Sequence, residues 1–138
     1  MGDRVFLTRR QAGDLARFDV AAIARELTLS LQARAPPSNE PPRVLFDWSG
    51  VTSWPYKASS QKDIEFWKET VPQISRVAFV HTRRWDSQAA LLAALLRSAN
   101  AEVRSFSPVK LNDAIGWLVS DHEAFAKEDE AAAPTEAK

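Results

Sequence analysis

Residues 43–54, RVLFDWSGVTSW, constrain the fold of this chain more than any other stretch. Val44, Leu45 and Phe46 make a dense apolar run that Asp47 closes, and a loop bearing Trp48, Ser49, Gly50 and Trp54 follows. A short run with apolar residues at consecutive positions puts apolar side chains on both faces of a strand. That pattern suits a strand buried on both sides, as in a parallel sheet. In open α/β sheets, ligands are held by the loops at the carboxyl ends of such strands.

The flanking segments supply the rest of such a sheet. Val5, Phe6 and Leu7 within Arg4–Arg10 predict a first strand, ended by the turn signal at Gly13-Asp14. Asp19 is a good N-cap, and Val20, Ile23, Ala24, Leu27 and Leu31 then recur on one helical face. The connector RAPPSNEPPR, 34–43, stops that helix, because its four prolines remove amide donors and disfavour helical geometry before each one. After the strand at 44–48 comes a loop, Ser49–Lys57. Ser59 or Ser60 can cap a second helix, with Asp63 completing a box from Ser60. Ile64, Trp67 and Val71 form its apolar face and Pro72 limits it. Arg76–His81, with four apolar residues in a row, reads as a central strand. Asp86 or Ser87 can cap a third helix through Leu91, Leu92, Leu95 and Leu96, with Asn100 as its stop. Glu102–Phe106 is a shorter, more polar strand suited to a sheet edge. Ser107-Pro108 then starts a last helix lined by Leu111, Ala114, Ile115 and Leu118, with Trp117 beside that stripe. The predicted order is β-α-β-α-β-α-β-α, an α/β fold with a mostly parallel sheet.

A chain of 138 residues is one domain's worth, able to bury ~65–70% of its unfolded surface. It has no cysteine, which rules out disulfides and thiolate chemistry and fits a reducing compartment. No apolar run is long enough for a membrane span or a signal peptide, so the expected location is the cytoplasm. The zero net charge hides an asymmetry: residues 1–110 carry 16 Lys/Arg against 11 Asp/Glu, and residues 111–138 carry 2 against 7. No dense basic stripe with interleaved aromatics is present, so nucleic acid is not an expected partner. The expected organisation is a single domain over residues 1–120 and an acidic, disordered tail over 121–138.

In this order the segments resemble a STAS-type domain, the fold of anti-sigma-factor antagonists. More closely, the chain resembles the SpoIIAA-like family of bacterial proteins, linked by fold to lipid-binding CRAL-TRIO domains. The resemblance is carried by the Gly13…Asp19 lead-in to the first helix, VLFDWSGV at 44–51, RVAFV at 76–80 followed by Trp85, EVRSF at 102–106, and AIGWL at 114–118. It implies four to five strands, four helices, and a tendency to bind rather than to catalyse. Antagonists switched by phosphorylation carry an Asp-Ser pair just past the aspartate-bearing strand; here those positions read Trp54-Pro55, so the resemblance brings no regulatory serine. Ser59 and Ser60 lie a few residues on and are not carried over. The fold's usual extra edge strand has little sequence to supply it at the start of this chain.

If the sheet order is STAS-like, the loops after the second and third strands lie side by side. One holds Trp48, Trp54, Tyr56 and Lys57; the other holds His81, Thr82, Arg83, Arg84 and Trp85. Aromatics with convergent cationic groups suit a protein hot spot or a pocket for an amphipathic anion. Arg83 and Arg84 could pair with phosphate or carboxylate, helped by the positive end of the next helix. Set against this, tryptophans more often pack the core and arginines are more often solvated. Asp47 could orient a ligand hydroxyl, but an aspartate there ordinarily braces its loop by accepting backbone amides.

The two histidines, His81 and His122, are far apart and lack ligand spacing, so no metal or other cofactor is expected. A Ser49–His81–Asp47 triad can be assembled on paper but has no nucleophile elbow behind it. The glycines at 2, 13, 50 and 116 form no phosphate loop. The reading that follows is a non-enzymatic STAS-like module that binds another protein, or a second copy of itself, through surfaces next to residues 48–60. The alternative is a small amphipathic anion or lipid held between the 48–58 and 81–86 loops.

Overall fold

The computed structural model describes residues 6–33, 41–56 and 60–120. Val5, most of the proline connector, Lys57, Ser59, and the acidic tail with His122 lie outside the described residues. Strands β1 (Phe6–Asp14), β2 (Arg43–Ser53), β3 (Arg76–Val80) and β4 (Glu102–Phe106) alternate with helices α1 (Val20–Ala33), α2 (Gln61–Thr70), α3 (Asp86–Ser98) and α4 (Leu111–Val119). All pairings are parallel and the strands lie in the order β1-β2-β3-β4. This is the predicted α/β fold, with four strands and four helices.

The strand order dictates where the helices go. Each crossover steps one strand in the same direction, so right-handed connections place α1, α2 and α3 on one face. There Val20, Ala24 and Leu27 of α1, Trp67 of α2 and Leu92 and Leu96 of α3 pack on Val44, Phe46, Trp48, Val77, Phe79 and Val103. Helix α4 follows the last strand and bridges nothing, which leaves it to cover the opposite face. Its Ala114, Trp117 and Leu118 pack on Phe6, Leu45, Ala78, Val80 and Phe106. Consecutive residues of β2 and β3 therefore feed two cores in alternation, which explains their unbroken apolar runs.

β2 differs from its expected extent. It continues past Asp47 to Ser53, where a loop from Ser49 was expected. Its register against β1 jumps from Arg10↔Asp47 to Ala12↔Gly50, and again between Gly13↔Val51 and Asp14↔Ser53. β2 has one extra residue at each jump, so Ser49-Gly50 and Thr52 mark bulges rather than a turn. Pairing with β3 stops at Asp47↔Val80, and the remainder of β2 pairs with β1 alone. Gly50 suits the bulge because an added Cβ would lie 3.2 Å from the Ala12 Cβ. β1 likewise runs through the expected turn to Asp14, with Gly13 in the left-handed region at φ +79.

The helix ends follow the sequence signals in part. Asp19 Oδ1 accepts from the Ala22 amide at 3.1 Å, and Ser60 Oγ accepts from the Asp63 amide at 3.1 Å. α3 is capped by neither Asp86 nor Ser87. A 3-10 turn over Arg83–Trp85 runs straight into the helix, so Trp85 occupies the cap position and Asp86 falls in the first turn. Asn100 does stop α3: at φ 71, its amide donates to the Arg97 carbonyl and the Ala101 amide to the Leu96 carbonyl. That pair of bonds is a Schellman motif. Ser107-Pro108 leads first into a 3-10 turn, Pro108–Lys110, and α4 begins only at Leu111.

α4 is secured at its far end by two strand residues. Arg43 donates to the Leu118 carbonyl, and the buried Arg76 donates to the Trp117 carbonyl at 2.6 Å. The Arg76 guanidinium also pairs with Glu102 at 3.3 Å and lies 5.4 Å from the Trp117 ring centroid. The last carbonyls of a helix have no intrahelical donor and carry its negative end, so two guanidinium groups there satisfy both hydrogen bonding and charge.

Candidate functional site

The carboxyl ends of the strands carry an aromatic rim built by three segments. Beyond the β2 bulges, Trp54 turns inward, and its Nε1 donates to the Arg17 carbonyl at 3.0 Å. Gln88, on the first turn of α3, donates from Nε2 to the Trp54 carbonyl at 2.8 Å. That bond ties the segment after β2 to the segment after β3. The rings follow: Trp48 meets Trp54 edge-on at 4.9 Å between centroids, and Trp54 meets Trp85 at 6.3 Å. Phe18, between β1 and α1, packs edge-on against Trp54 at 5.1 Å and stacks on Tyr56 at 5.9 Å.

The anticipated residues therefore separate into three groups. Trp48, Trp54, Trp85 and His81 are brought together and buried. Tyr56, Arg83 and Arg84 reach the surface above them, with Tyr56 47% exposed and Arg84 lying 4.8 Å from the Trp85 ring. Asp47 is turned away from this group. It accepts from the Ser49 amide at 3.0 Å and the Ser49 hydroxyl at 2.6 Å, and it pairs with Arg10 at 3.5 Å. Those contacts brace the first bulge of β2, the ordinary role of an aspartate that bonds its own following backbone. Lys57 lies outside the described residues.

The triad of Ser49, His81 and Asp47 does not form, because Asp47 and Ser49 bond each other and His81 has other partners. Its Nδ1 lies 2.7 Å from the Thr82 carbonyl, its Nε2 lies 3.3 Å from Ser105 Oγ, and Asp86 Oδ1 is 3.7 Å from Nδ1. One polar group in the cluster has no counterpart: the buried Trp48 Nε1 meets no acceptor.

Sequence reading did not anticipate Phe18, Gln88 or Ser105 in this neighbourhood. Gln88 sits on the leucine-lined face of α3, where nothing local signals its distant partner. Ser105 alternates with Arg104 and Phe106 on an edge strand, and only the register Phe79↔Ser105 puts it near the end of β3.

No group of three or more His, Cys, Asp or Glu suited to a metal occurs among the described residues. No helix among them is long and apolar enough to cross a membrane. A groove of about 300 Å³ lies elsewhere, between the carboxyl-terminal parts of α2 and α3, with Trp67, Ile74, Leu95 and Leu96 among its lining residues.

A parallel sheet with three helices on one face, a single clamped helix on the other and a tryptophan-packed rim defines an α/β domain. The SpoIIAA-like family model matches residues 8–119, and the chain belongs to that family. This places it among STAS-type regulatory domains, which are generally binding modules rather than catalysts. Comparison with curated proteins and with solved structures gives no significant match.

Proposed function

We propose that this chain is a cytoplasmic, non-enzymatic regulatory module that binds a protein partner through the rim at Tyr56, Arg83 and Arg84. It acts without the phosphorylatable serine of antagonist domains. Residues 1–120 serve as the domain and 121–138 as an acidic tail. One observation carries this reading: the two segments close on each other, so the buried Trp48, Trp54 and Trp85 form a floor instead of a cleft. What remains outward is a tyrosine and two arginines on a rigid base, the residue types that most often anchor protein interfaces. The partner, or the second copy of this chain, should present carboxylates around an apolar contact.

Co-purification of the tagged full chain from its own cells, with light scattering after size exclusion, tests this. The expected result is a partner or dimer that the double substitution Arg83→Glu, Arg84→Glu removes. A strict monomer with nothing bound, or a complex indifferent to that substitution, overturns the proposal.

A second reading keeps a small amphipathic anion or lipid between the 48–58 and 81–86 segments. It is favoured by the unmet Trp48 Nε1, since a buried donor without an acceptor costs ~1–3 kcal/mol that a ligand oxygen could recover. Native mass spectrometry of gently purified protein decides it, and absence of any bound mass rejects it.

A further inference from the structure

The proton on His81 can be assigned from its contacts. A carbonyl oxygen only accepts, so the 2.7 Å approach of Nδ1 to the Thr82 carbonyl requires the ring proton on Nδ1. In the neutral ring Nε2 then presents its lone pair, and the atom it faces is Ser105 Oγ at 3.3 Å. The imidazole is held in that pose. Its side chain is 6% exposed, it packs beside Trp48 at 6.0 Å between centroids, and its own backbone amide donates to the Phe106 carbonyl at 3.0 Å. Ser105 itself is exposed, on the edge strand β4, which pairs only with β3 among the described residues. Asp86, in the first turn of α3, sets a carboxylate oxygen 3.7 Å from Nδ1.

We propose that Ser105 is an activated nucleophile, with His81 as its general base and with Thr82 and Asp86 positioning that base. The substrates it suits are small activated acyl or phosphoryl-type electrophiles that reach the open edge of β4. In the step, Ser105 Oγ bonds to the electrophilic carbon or phosphorus while its proton passes to His81 Nε2. The leaving group departs with the electron pair of the bond that breaks. The imidazolium so formed keeps its Nδ1 proton on the Thr82 carbonyl and faces the Asp86 carboxylate, which stabilises the new positive charge. The step ends at a covalent adduct on Ser105 with no turnover, so it stands beside the non-enzymatic reading. His81, Thr82 and Asp86 flank the rim's Arg83 and Arg84, and labelling of Ser105→Ala and of Arg83→Glu with Arg84→Glu tells the two sites apart.

A fluorophosphonate probe tests it, because the Oγ–P bond forms as the P–F bond breaks and fluoride leaves. The full chain is incubated with the probe and followed by intact mass and peptide mapping. The expected result is a single adduct on Ser105, absent in Ser105→Ala, formed at least ~100-fold more slowly in His81→Gln. Asp86→Asn, at an exposed site, should slow labelling severalfold with unchanged circular dichroism. Because His81→Gln could disturb the fold, the native chain is also compared with the same chain in urea, where activation should vanish. No adduct on the native chain, an adduct that survives Ser105→Ala, or equal labelling in native and urea-unfolded protein overturns the proposal.

Discussion

Single positions in this protein are decided by backbone geometry as much as by side-chain chemistry, and Asn100 shows it most directly. It sits at φ 71 to end α3, a conformation in which a Cβ approaches a carbonyl oxygen. Asparagine tolerates that region better than other residues with a side chain, and glycine better still. Asn100→Gly should therefore leave stability unchanged or raise it by a few tenths of a kcal/mol, while Asn100→Ala should lower it by about 1 kcal/mol. Urea unfolding of the pair checks the opposite signs. Asp47 is the other instructive position. Its carboxylate satisfies the Ser49 amide and hydroxyl inside a bulge, and because Ser49 is exposed to water, Asp47→Ala should cost about 1 kcal/mol by removing their shared acceptor. Asp47→Asn retains an acceptor oxygen and should cost less, again by urea unfolding. The aspartate stood out in the sequence because it terminates an apolar run. The bulge it braces did not, since Ser-Gly reads equally well as a turn, and only the partner strand reveals which of the two forms.

At the scale of elements, the sheet was legible and the anchoring of its last helix was not. The alternation of apolar runs with helical stripes depends on local periodicity, which the sequence displays directly. The hold on α4 depends on Arg43 and Arg76, residues at the starts of two strands, reaching the end of a helix some forty to seventy-five positions away. Nothing local marks such a contact; both arginines read simply as polar residues bounding their strands. The aromatic rim divides in the same way. Its tryptophans were visible by type, but the Gln88 bond that fastens the two segments is a long-range contact. The clamp leads to a prediction about a whole element. Arg76→Ala removes the donor from the Trp117 carbonyl and the cation beside its ring, and should cost about 3 kcal/mol. The loss should be concentrated in α4, so hydrogen exchange should quicken over residues 111–119 more than in α1 or α3.

The molecule as a whole is two unequal cores separated by one sheet, and its five tryptophans are distributed between them. Four belong to the core beneath α1, α2 and α3, and Trp117 alone belongs to the core beneath α4. Every one is at most 5% exposed, although three stand at the rim proposed to meet a partner. A rim with a packed floor and a rim with an open cleft therefore differ in how readily solutes reach indole. With the floor packed, acrylamide quenching of the native protein should be severalfold shallower than in urea, and emission should move to longer wavelength on unfolding. Arg76→Ala should steepen quenching through Trp117 alone, a minor share of the signal. Arg83→Glu with Arg84→Glu should steepen it at most slightly, through Trp85 alone, because Arg84 covers that ring from outside and neither arginine supports the cluster from within. A native slope close to the unfolded one would mean that Trp48, Trp54 and Trp85 are reached from solvent. The surface would then be a cavity awaiting a small molecule, and the rim would lose the rigidity on which protein binding there depends.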